Sequence, residues 1–364
     1  MSSPTFSLGW GIIGCGSISA RFVKDILLDP KTRGANDVEH RLVAVGSRSN
    51  EKAQDFLGAN AETVRLSVAV YEKYTDLYSD KNVNAVYIGL PHTLHYDEAL
   101  AAIRAKKHIL CEKPATTNAP ELKALLAAAK ENGVFFMEAM WTRFLPITTE
   151  VKRVIDEGKL GKPVVVHADL SGNFDIENVS TEHRIMNPLL AGGAILDLGP
   201  YPLVWAIVAL FEHPSNADQS PTVTSSMIKT PRTNVDSNTS FTLNFPKLAA
   251  QAVLSCSINL DSFNPGVVIR FEKGSIELSG PVYRPEKVTV RYPEGSVPAI
   301  EEKTFEFEGG GWHFQADEVA RCVRDGKLES GLWTHRKSVL AMEIFDEVRK
   351  QGNYVLPAGI EKVT

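Results

Sequence analysis

The chain has 364 residues, of which 43% are hydrophobic and 23% charged, with a net charge of -5 and a pI near 6.0. A chain of this length is too long to fold around one hydrophobic core of ordinary size, so the sequence predicts two domains. The slightly acidic balance argues against a nucleic-acid partner. Its four cysteines lie far apart and form no CxxC pair, which argues against a zinc site and a disulfide framework.

The sequence suggests no targeting or membrane segment. The first residues lack a charged stretch followed by an apolar one, and no segment approaches about 18 consecutive apolar residues. We therefore expect a cytoplasmic protein with no membrane partner.

The first part of the chain alternates short apolar runs with amphipathic stretches, which is typical of βαβ units around a parallel sheet. The segment 29–40 is too polar for either element and is predicted to be a surface insertion. The predicted strands are 10–13, 42–45, 85–88, 108–110 and 134–137. The predicted helices are 18–28, 96–105 and 119–131.

The pattern changes after residue 141, where a helix at 149–157 and a segment at 163–170 precede a helix at 195–211. Successive strands with short loops then predict a largely antiparallel sheet. These strands are 222–229, 240–245, 249–260, 267–272, 275–278, 287–292 and 303–307. Helices at 315–324 and 336–350 close the chain. We predict an α/β protein with a Rossmann domain over 1–142 and an α+β domain with an open, mainly antiparallel sheet over 143–364.

A glycine-rich turn follows the first predicted strand and opens the first helix, which is the context expected of a dinucleotide site. Gly14 permits the tight turn, and Gly16 lets the backbone approach a pyrophosphate at the helix N-terminus, beside Ser17 and Ile18. Ser19 replaces the third glycine and still permits close packing. The turn predicts dinucleotide binding.

The second predicted strand ends in Ser47, Arg48 and Ser49, with no carboxylate to bind a free ribose. Arg48 can bind a 2′-phosphate, and the two serines can donate hydrogen bonds to it. The sequence therefore predicts NADP as the cofactor.

Two later strands also end in polar residues at the edge where ligands bind to open α/β sheets. One is followed by Leu90, Pro91, His92 and His95, for which we expect ribose or nicotinamide contact or helix capping. No third ligand accompanies the two histidines, so no metal is predicted. The other strand is followed by Glu112 and Lys113, which we also expect at the cofactor.

The side chains of Lys113 and Tyr201 are a cation and a phenol. A cation near a phenol lowers the phenol pKa from about 10 toward neutral pH, which suits an acid/base group. Asp197 precedes Tyr201 by four residues. Pro200 favours a helix that begins there, which would place Tyr201 at the positive helix end.

These segments resemble the glucose-fructose oxidoreductase and inositol dehydrogenase (Gfo/Idh/MocA) family over nearly the whole chain. The resemblance rests on residues 11–16, 90–95, 111–114 and 192–201. Within the family, residues 137–144, 183–188, 316–322 and 325–330, together with Tyr201, are similar to dimeric dihydrodiol dehydrogenases and NADP-dependent D-xylose dehydrogenases, especially fungal ones.

The resemblance implies that Lys113 and Tyr201 are catalytic and that Trp141, Arg143, Arg184 and Asp197 line a substrate pocket. Alternatively, Trp141 is a core residue and the other three pair with one another. The resemblance also implies a homodimer through the C-terminal sheet.

The activity it implies is NADP-dependent oxidation of a pyranose, D-xylose first, at the anomeric carbon to the lactone. A trans-1,2-dihydrodiol dehydrogenase or a reductase of dicarbonyls or ketosugars remains as an alternative. A non-catalytic regulator that senses NADP is a further alternative, against which the presence of both Lys113 and Tyr201 argues.

Overall fold

The computed structural model describes residues 5–364, and the chain divides into two units. The first unit runs to Phe144 and also contains Phe307–Val339 and the last three residues. The second unit contains Leu145–Glu306 and Leu340–Glu361. The predicted division into 1–142 and 143–364 therefore differs from the structure, because the chain returns to the first unit after residue 306.

The first unit is built on a six-stranded parallel sheet in the order β3-β2-β1-β4-β5-β6. This order, with β1 beside both β2 and β4, is that of a Rossmann domain and confirms the prediction. The strands are β1 (Phe6–Ile13), β2 (Val38–Gly46), β3 (Ala69–Tyr71), β4 (Ala85–Ile88), β5 (His108–Glu112) and β6 (Phe136–Ala139).

Helices connect these strands as the alternating pattern predicted. They are α1 (Ser17–Ile26), α2 (Asn50–Asn60), α3 (Tyr74–Ser79), α4 (His95–Arg104) and α5 (Ala119–Asn132), with 3-10 turns at Pro30–Arg33, Glu62–Ser67, His92–Leu94 and Trp141–Phe144. Sequence reasoning missed α2, β3 and α3. Helix α2 buries only Ala53, Phe56 and Leu57, so its apolar stripe is too narrow to stand out.

The predicted surface insertion at 29–40 is wrong in its last three residues. Val38 to His40 begin β2, and the Arg33 and His40 side chains are buried, each bonded to Asp317 at 2.8 Å. The start of β2 was missed because it contains polar residues, and the partner of His40, Asp317, lies far along the chain.

The second unit contains an eight-stranded mixed sheet in the order β14-β13-β12-β11-β7-β10-β9-β8. Only the β7 and β10 pair is parallel, so the predicted antiparallel character is confirmed. The strands are β7 (Pro163–Ser171), β8 (Thr222–Lys229), β9 (Asp236–Phe245), β10 (Ala250–Ser257), β11 (Val267–Phe271), β12 (Ser275–Leu278), β13 (Lys287–Arg291) and β14 (Ile300–Thr304).

One face of this sheet is covered and the other is open. In β10, Ala252, Leu254 and Cys256 are buried, whereas Gln251 and Val253 are exposed. The helices of the unit are α6 (Pro146–Asp156), α7 (Ala194–Asp197) and α8 (Pro200–Ala206), with a π-helical turn at Ile207–Phe211 and 3-10 turns at Pro188–Leu190 and Pro214–Asn216. Helix α8 contacts β7 and β10.

The predicted helix at 195–211 is thus interrupted, because α7 ends at Asp197 and α8 begins at Pro200. An 18-residue window within the surrounding stretch Pro188–Phe211 has a mean hydropathy of 1.8, so by length and composition alone the stretch could cross a membrane. Because 94% of its most apolar window is buried, the stretch is a core element of the second unit.

The returning segment adds α9 (Trp312–Arg324) to the first unit, and α10 (His335–Gln351) follows it. The Asp25 carboxylate in α1 anchors the start of α9. It accepts the N–H groups of Gly311 and Trp312 at 2.7 Å and that of Gly310 at 2.9 Å, and lies 3.1 Å from Nδ1 of His313. A single buried carboxylate therefore holds the segment's first turn.

We expect Asp25→Asn to destabilise the first unit by about 2–4 kcal/mol, since it removes charged hydrogen bonds from buried donors. Burial raises the pKa of Asp25, but the bonds from His313 and Gly310 outweigh it and lower that pKa overall. This stabilisation is therefore present above the unfolded pKa of about 3.9 and is lost as pH falls through the lower folded value.

Thermal melts of wild type and variant across pH measure this difference. The melting temperatures of the two proteins should differ near neutral pH and converge in acid. The matched control is Asp29→Asn, which alters an exposed cap. A gap that widens as pH falls would contradict the role given to the Asp25 carboxylate.

Candidate active site

A cleft of 540 Å³ opens at the carboxyl edge of the Rossmann sheet, where β1, β2 and β4 end. Ligands of open α/β sheets bind at this edge. The cleft contains seven of the predicted cofactor residues and four residues that were not predicted. Its lining residues are Gly14, Cys15, Gly16, Ser47, Arg48, Ser49, Lys52, Tyr74, Gly89, Leu90 and Pro91.

The glycine-rich turn has the geometry that a pyrophosphate requires. Gly14 has φ +90°, and a side chain there would lie 2.7 Å from the Gly89 carbonyl oxygen. In contrast, no atom lies within 4 Å of a Cβ built on Gly16, which precedes α1, so the space before the helix N-terminus is open. Ser17 and Ile18 form the first turn of α1. This cradle fits a dinucleotide phosphate.

Ser19, the departure from three glycines, is fully buried against Gly89. A side chain on Gly89 would collide with the Ser19 hydroxyl. The close packing that a third glycine usually permits is therefore obtained by a glycine on the neighbouring strand.

The end of β2 offers two cations and two hydroxyl groups to a ligand. Arg48 is exposed, and the backbone N–H of Ser49 lies 3.4 Å from the Ser47 hydroxyl. The Ser49 side chain caps α2 by accepting the Lys52 N–H at 3.3 Å, which places Lys52 in the first helical turn at the cleft. These groups fit a 2′-phosphate. Lys52 was missed because α2 was missed, although Ser49 is a recognisable helix cap.

His95 does not line the cleft, contrary to the prediction that it binds cofactor. Its ring is fully buried, with Nδ1 2.9 Å from the Pro114 carbonyl oxygen and Nε2 2.8 Å from that of Leu90. Both ring nitrogens thus face backbone oxygens. His95 positions the loops that carry Leu90 and Lys113, whereas the half-buried His92 lies in the 3-10 turn before it.

Glu112 also points away from the cofactor edge. It is buried, and its carboxylate accepts the Tyr87 hydroxyl at 2.7 Å and the Lys113 N–H at 3.2 Å. Burial raises the pKa of Glu112 to about 7, against the opposing effect of the Tyr87 hydrogen bond. Its role in the structure is to hold the backbone of Lys113.

A second buried carboxylate holds the other end of this loop. Glu138 in β6 accepts the Ala115 N–H at 3.1 Å and the Trp333 indole N–H at 3.0 Å. Glu112, His95 and Glu138 therefore fix consecutive backbone groups around Lys113, whose own side chain is only half-buried. The chain at Lys113 is rigid, and it lies directly after β5 at the cofactor edge.

Trp141 and Arg143 lie in the first unit and are both buried. The Trp141 ring stacks on Trp312 with centroids 4.4 Å apart, and the guanidinium of Arg21 lies 5.6 Å from the Trp312 ring centroid. The alternative interpretation of Trp141 as a core residue thus has a structural basis. Trp312 was not predicted, because nothing in the sequence connects it to residue 141.

Arg184, Asp197 and Tyr201 lie in the second unit. Asp197 is buried and accepts a bond from Arg184 at 2.8 Å, so the predicted alternative of mutual pairing holds for these two residues. Tyr201 occupies the first turn of α8, as expected from Pro200, and its ring centroid lies 5.5 Å from that of Tyr283. Asp197 ends α7 and Tyr201 lies in α8, so the two residues do not share one helix.

Asp236 fixes the glycine segment that precedes Tyr201, and sequence reasoning missed it. Its carboxylate accepts the Ile195 N–H at 2.8 Å and the Thr239 hydroxyl at 2.7 Å. Burial raises the pKa of Asp236 to about 6. Gly193 has φ +108° and is packed against this carboxylate so closely that any side chain there would collide with it.

Among residues 5–364, no group of three or more histidine, cysteine, aspartate or glutamate side chains is arranged to hold a metal ion. These residues instead offer a dinucleotide cleft, a lysine whose backbone is held at the same edge of the sheet, and a buried tyrosine in the second unit.

Comparison with known families identifies this chain. A family model described as an oxidoreductase family with an NAD-binding Rossmann fold matches residues 8–140, and the GFO/IDH/MocA C-terminal domain matches residues 148–277. The chain belongs to the Gfo/Idh/MocA oxidoreductase family.

Two curated relatives match over nearly their whole length. D-xylose 1-dehydrogenase (NADP(+)) of Hypocrea jecorina is 36% identical, covering 98% of this chain and 95% of the relative. Trans-1,2-dihydrobenzene-1,2-diol dehydrogenase of Bos taurus is 32% identical, covering 96% of this chain and 98% of the relative. Both proteins fall in the branch that the resemblance indicated.

Solved structures share the fold at lower identity. A 3-ketoreductase from Actinomadura kijaniata, in complex with NADP and TDP-benzene, has a TM-score of 0.77 and 22% identity, covering 95% of this chain and 98% of that one. Levoglucosan dehydrogenase in complex with NADH and levoglucosan has a TM-score of 0.80 and 16% identity, covering 95% and 97%.

The raised pKa of Glu112 predicts a pH-dependent stability. Because burial disfavours the charged carboxylate, the folded protein retains a proton that the unfolded chain loses near pH 4.3. Stability should therefore fall as pH rises from about 4.3 to about 7, by up to about 3 kcal/mol.

Glu112→Gln should flatten this part of the stability profile, as measured by thermal melts from about pH 5 to 8. The matched control is Glu131→Gln on the exposed end of α5. An unchanged slope in Glu112→Gln would show that the carboxylate is not protonated in the folded protein.

Proposed function

We propose that this protein is an NADP-dependent sugar dehydrogenase that oxidises the anomeric carbon of D-xylose to the lactone. The observation that carries the proposal is the Lys113 loop, whose backbone is held by Glu112, His95 and Glu138 at the same edge of the sheet as the dinucleotide cleft. The choice of sugar follows the near-full-length similarity to the D-xylose 1-dehydrogenase of Hypocrea jecorina.

Tyr201 and Lys113 are the residues to which we assign the chemistry. Tyr201 acts as general base and takes the proton of the C1 hydroxyl. Lys113 supplies a positive charge that binds the ribose. When bound, the dinucleotide accepts the hydride from C1. Loss of one proton and one hydride converts the hemiacetal carbon to the lactone carbonyl.

Two groups of residues would determine which cofactor and which substrate the protein binds. Arg48 and Lys52, with the hydroxyls of Ser47 and Ser49, would bind the 2′-phosphate that distinguishes NADP from NAD. For the substrate we propose hydrogen bonds from the paired Arg184 and Asp197 and from Arg143, with Trp141 as an apolar wall.

A trans-dihydrodiol dehydrogenase is the second candidate function. It is supported by the 32% identity to the Bos taurus enzyme and by the aromatic pairs Trp141 with Trp312 and Tyr201 with Tyr283, which suit an unsaturated ring. A non-catalytic NADP sensor is the outcome left if the protein binds NADP and turns over no substrate.

The test is NADPH formation by the purified protein with D-xylose, D-glucose, L-arabinose and a trans-dihydrodiol, each with NADP and with NAD. Turnover on D-xylose with NADP is expected. Faster turnover of the dihydrodiol would favour the second candidate. Tight NADP binding without turnover of any substrate, in either direction, would favour the sensor.

We expect Tyr201→Phe and Lys113→Met each to lower kcat by about 10²–10⁴-fold, the usual contribution of a general acid/base group. NADP affinity should be largely kept in Tyr201→Phe. Steady-state kinetics and calorimetry measure the two effects separately. The matched controls are Tyr292→Phe, directly after β13, and Lys130→Met, in α5. Near-normal turnover of either site variant would contradict its assignment.

We expect Arg48→Ala to weaken NADP binding by about 10- to 100-fold, because it removes a charged hydrogen-bond partner of the 2′-phosphate. The Kd for NAD should change little. Arg104→Ala, an exposed arginine of α4, is the matched control. Equal loss of affinity for both cofactors would place Arg48 elsewhere than at the 2′-phosphate.

We further propose a homodimer formed through the open face of the second unit's sheet. Val253 is 38% exposed on this face and Ile228 is 63% exposed. Light scattering coupled to size exclusion measures the mass in solution, and a monomer at micromolar concentration would contradict the proposal.

A further inference from the structure

A second cleft, of 320 Å³, lies at the amino edge of the Rossmann sheet, opposite the end at which the dinucleotide cleft opens. It is bounded by the starts of β1 and β5 and by the residues that precede β4. The lining residues are Phe6, Ser7, Lys81, Val83, Asn84, Lys106, Lys107, His108 and Val323. No carboxylate is among them, and three are lysines.

The neutral polar residues of this cleft are left with donors for a ligand. Asn84 uses its Oδ1 to accept the Gly9 N–H at 2.9 Å, so its NH2 group remains. His108 uses Nδ1 to accept the Phe135 N–H at 3.0 Å, so its Nε2 carries the proton. The Ser7 hydroxyl oxygen accepts a bond from Arg41 at 3.0 Å and keeps its own hydrogen.

Lys107 gives the cleft a charge that is fixed in position. Its ammonium donates to the carbonyl oxygens of Asp80 and Val83, both at 2.7 Å, and the side chain is buried. Two of its three N–H groups are thereby used. Burial lowers the pKa of Lys107, against the opposing charge of Asp80, so a bound anion would favour its protonated form.

Lys106 occupies a backbone position where glycine is usual. It follows α4 with φ +62°, and the N–H groups of Lys106 and Lys107 bond to the carbonyls of Ile103 and Ala102. This is the Schellman ending of a helix, which places a left-handed residue after the cap. The same ending after α5 and α9 uses Gly133 and Gly326. At α4 the position carries a lysine that lines the cleft, despite the backbone strain.

We propose that this cleft binds the phosphate group of a small metabolite. Phosphate is favoured because it accepts several hydrogen bonds at once. It also carries the negative charge that would balance Lys81, Lys106 and Lys107, since no carboxylate lines the cleft. The site is distinct from the dinucleotide cleft, since the two lie at opposite edges of one parallel sheet. It does not depend on the sugar dehydrogenase activity.

The experiment is calorimetric titration of the full-length protein with inorganic phosphate and with glycerol 3-phosphate. It is performed in the Arg48→Ala background, which weakens phosphate binding at the cofactor cleft, and the lysine variants below assign the remaining binding to the second cleft. This background reports on the second cleft whether or not the protein uses NADP. Tighter binding of glycerol 3-phosphate would identify the source as a phosphate ester, and equal or tighter binding of inorganic phosphate would identify free phosphate.

Lys106→Gly separates binding from folding. It should raise the melting temperature of the ligand-free protein, because glycine relieves the left-handed strain, and should weaken phosphate binding about tenfold or more. Lys81→Ala should weaken binding without stabilising the protein. The matched control is Ala249→Gly, which relieves a φ of +52° in an exposed turn and should leave phosphate binding unchanged.

Unaltered phosphate affinity in both lysine variants would overturn the proposal. So would the absence of phosphate binding to the parent protein at millimolar concentration.

Discussion

Buried carboxylates that accept backbone N–H groups hold the loops on which this protein's chemistry depends. Glu112 and Glu138 fix the backbone on either side of Lys113, and Asp236 fixes the segment before Tyr201. Asp25 does the same for the start of α9. A buried carboxylate is costly unless its oxygens are bonded, so each of these groups specifies one loop conformation. Rigid loops are what a hydride-transfer site needs, because the reacting groups must be placed before reaction.

The same carboxylates differ in their electrostatics. At Asp25, burial is outweighed by the hydrogen bonds from His313 and Gly310, which lower its pKa overall. In contrast, burial raises the pKa of Glu112 to about 7 and that of Asp236 to about 6. The loops at Lys113 and before Tyr201 are thus held by groups that titrate near neutral pH. Part of any pH dependence of the activity would therefore come from loop positioning and not only from the acid/base residue itself.

Local signals in the sequence predicted much of the fold and part of the site. The glycine turn, the order of apolar runs and Pro200 each act over a few residues, and the Rossmann sheet, the dinucleotide cleft and the start of α8 follow from them. The predictions that failed concern residues whose contact partners lie far away in the sequence. The return of Phe307–Val339, the stacking of Trp312 on Trp141 and the burial of His95 and Glu112 all arise from tertiary contacts that have no local pattern.

The proposed function requires that this protein transfer the C1 hydrogen of D-xylose to NADP as a hydride. The most direct measurement uses D-xylose deuterated at C1 and analyses the NADPH formed by mass spectrometry. We predict one deuterium in the reduced cofactor, xylonolactone as product, and slower turnover than with unlabelled sugar if hydride transfer limits the rate. Reduced cofactor without deuterium, or no reduction of NADP by D-xylose, would contradict the claim.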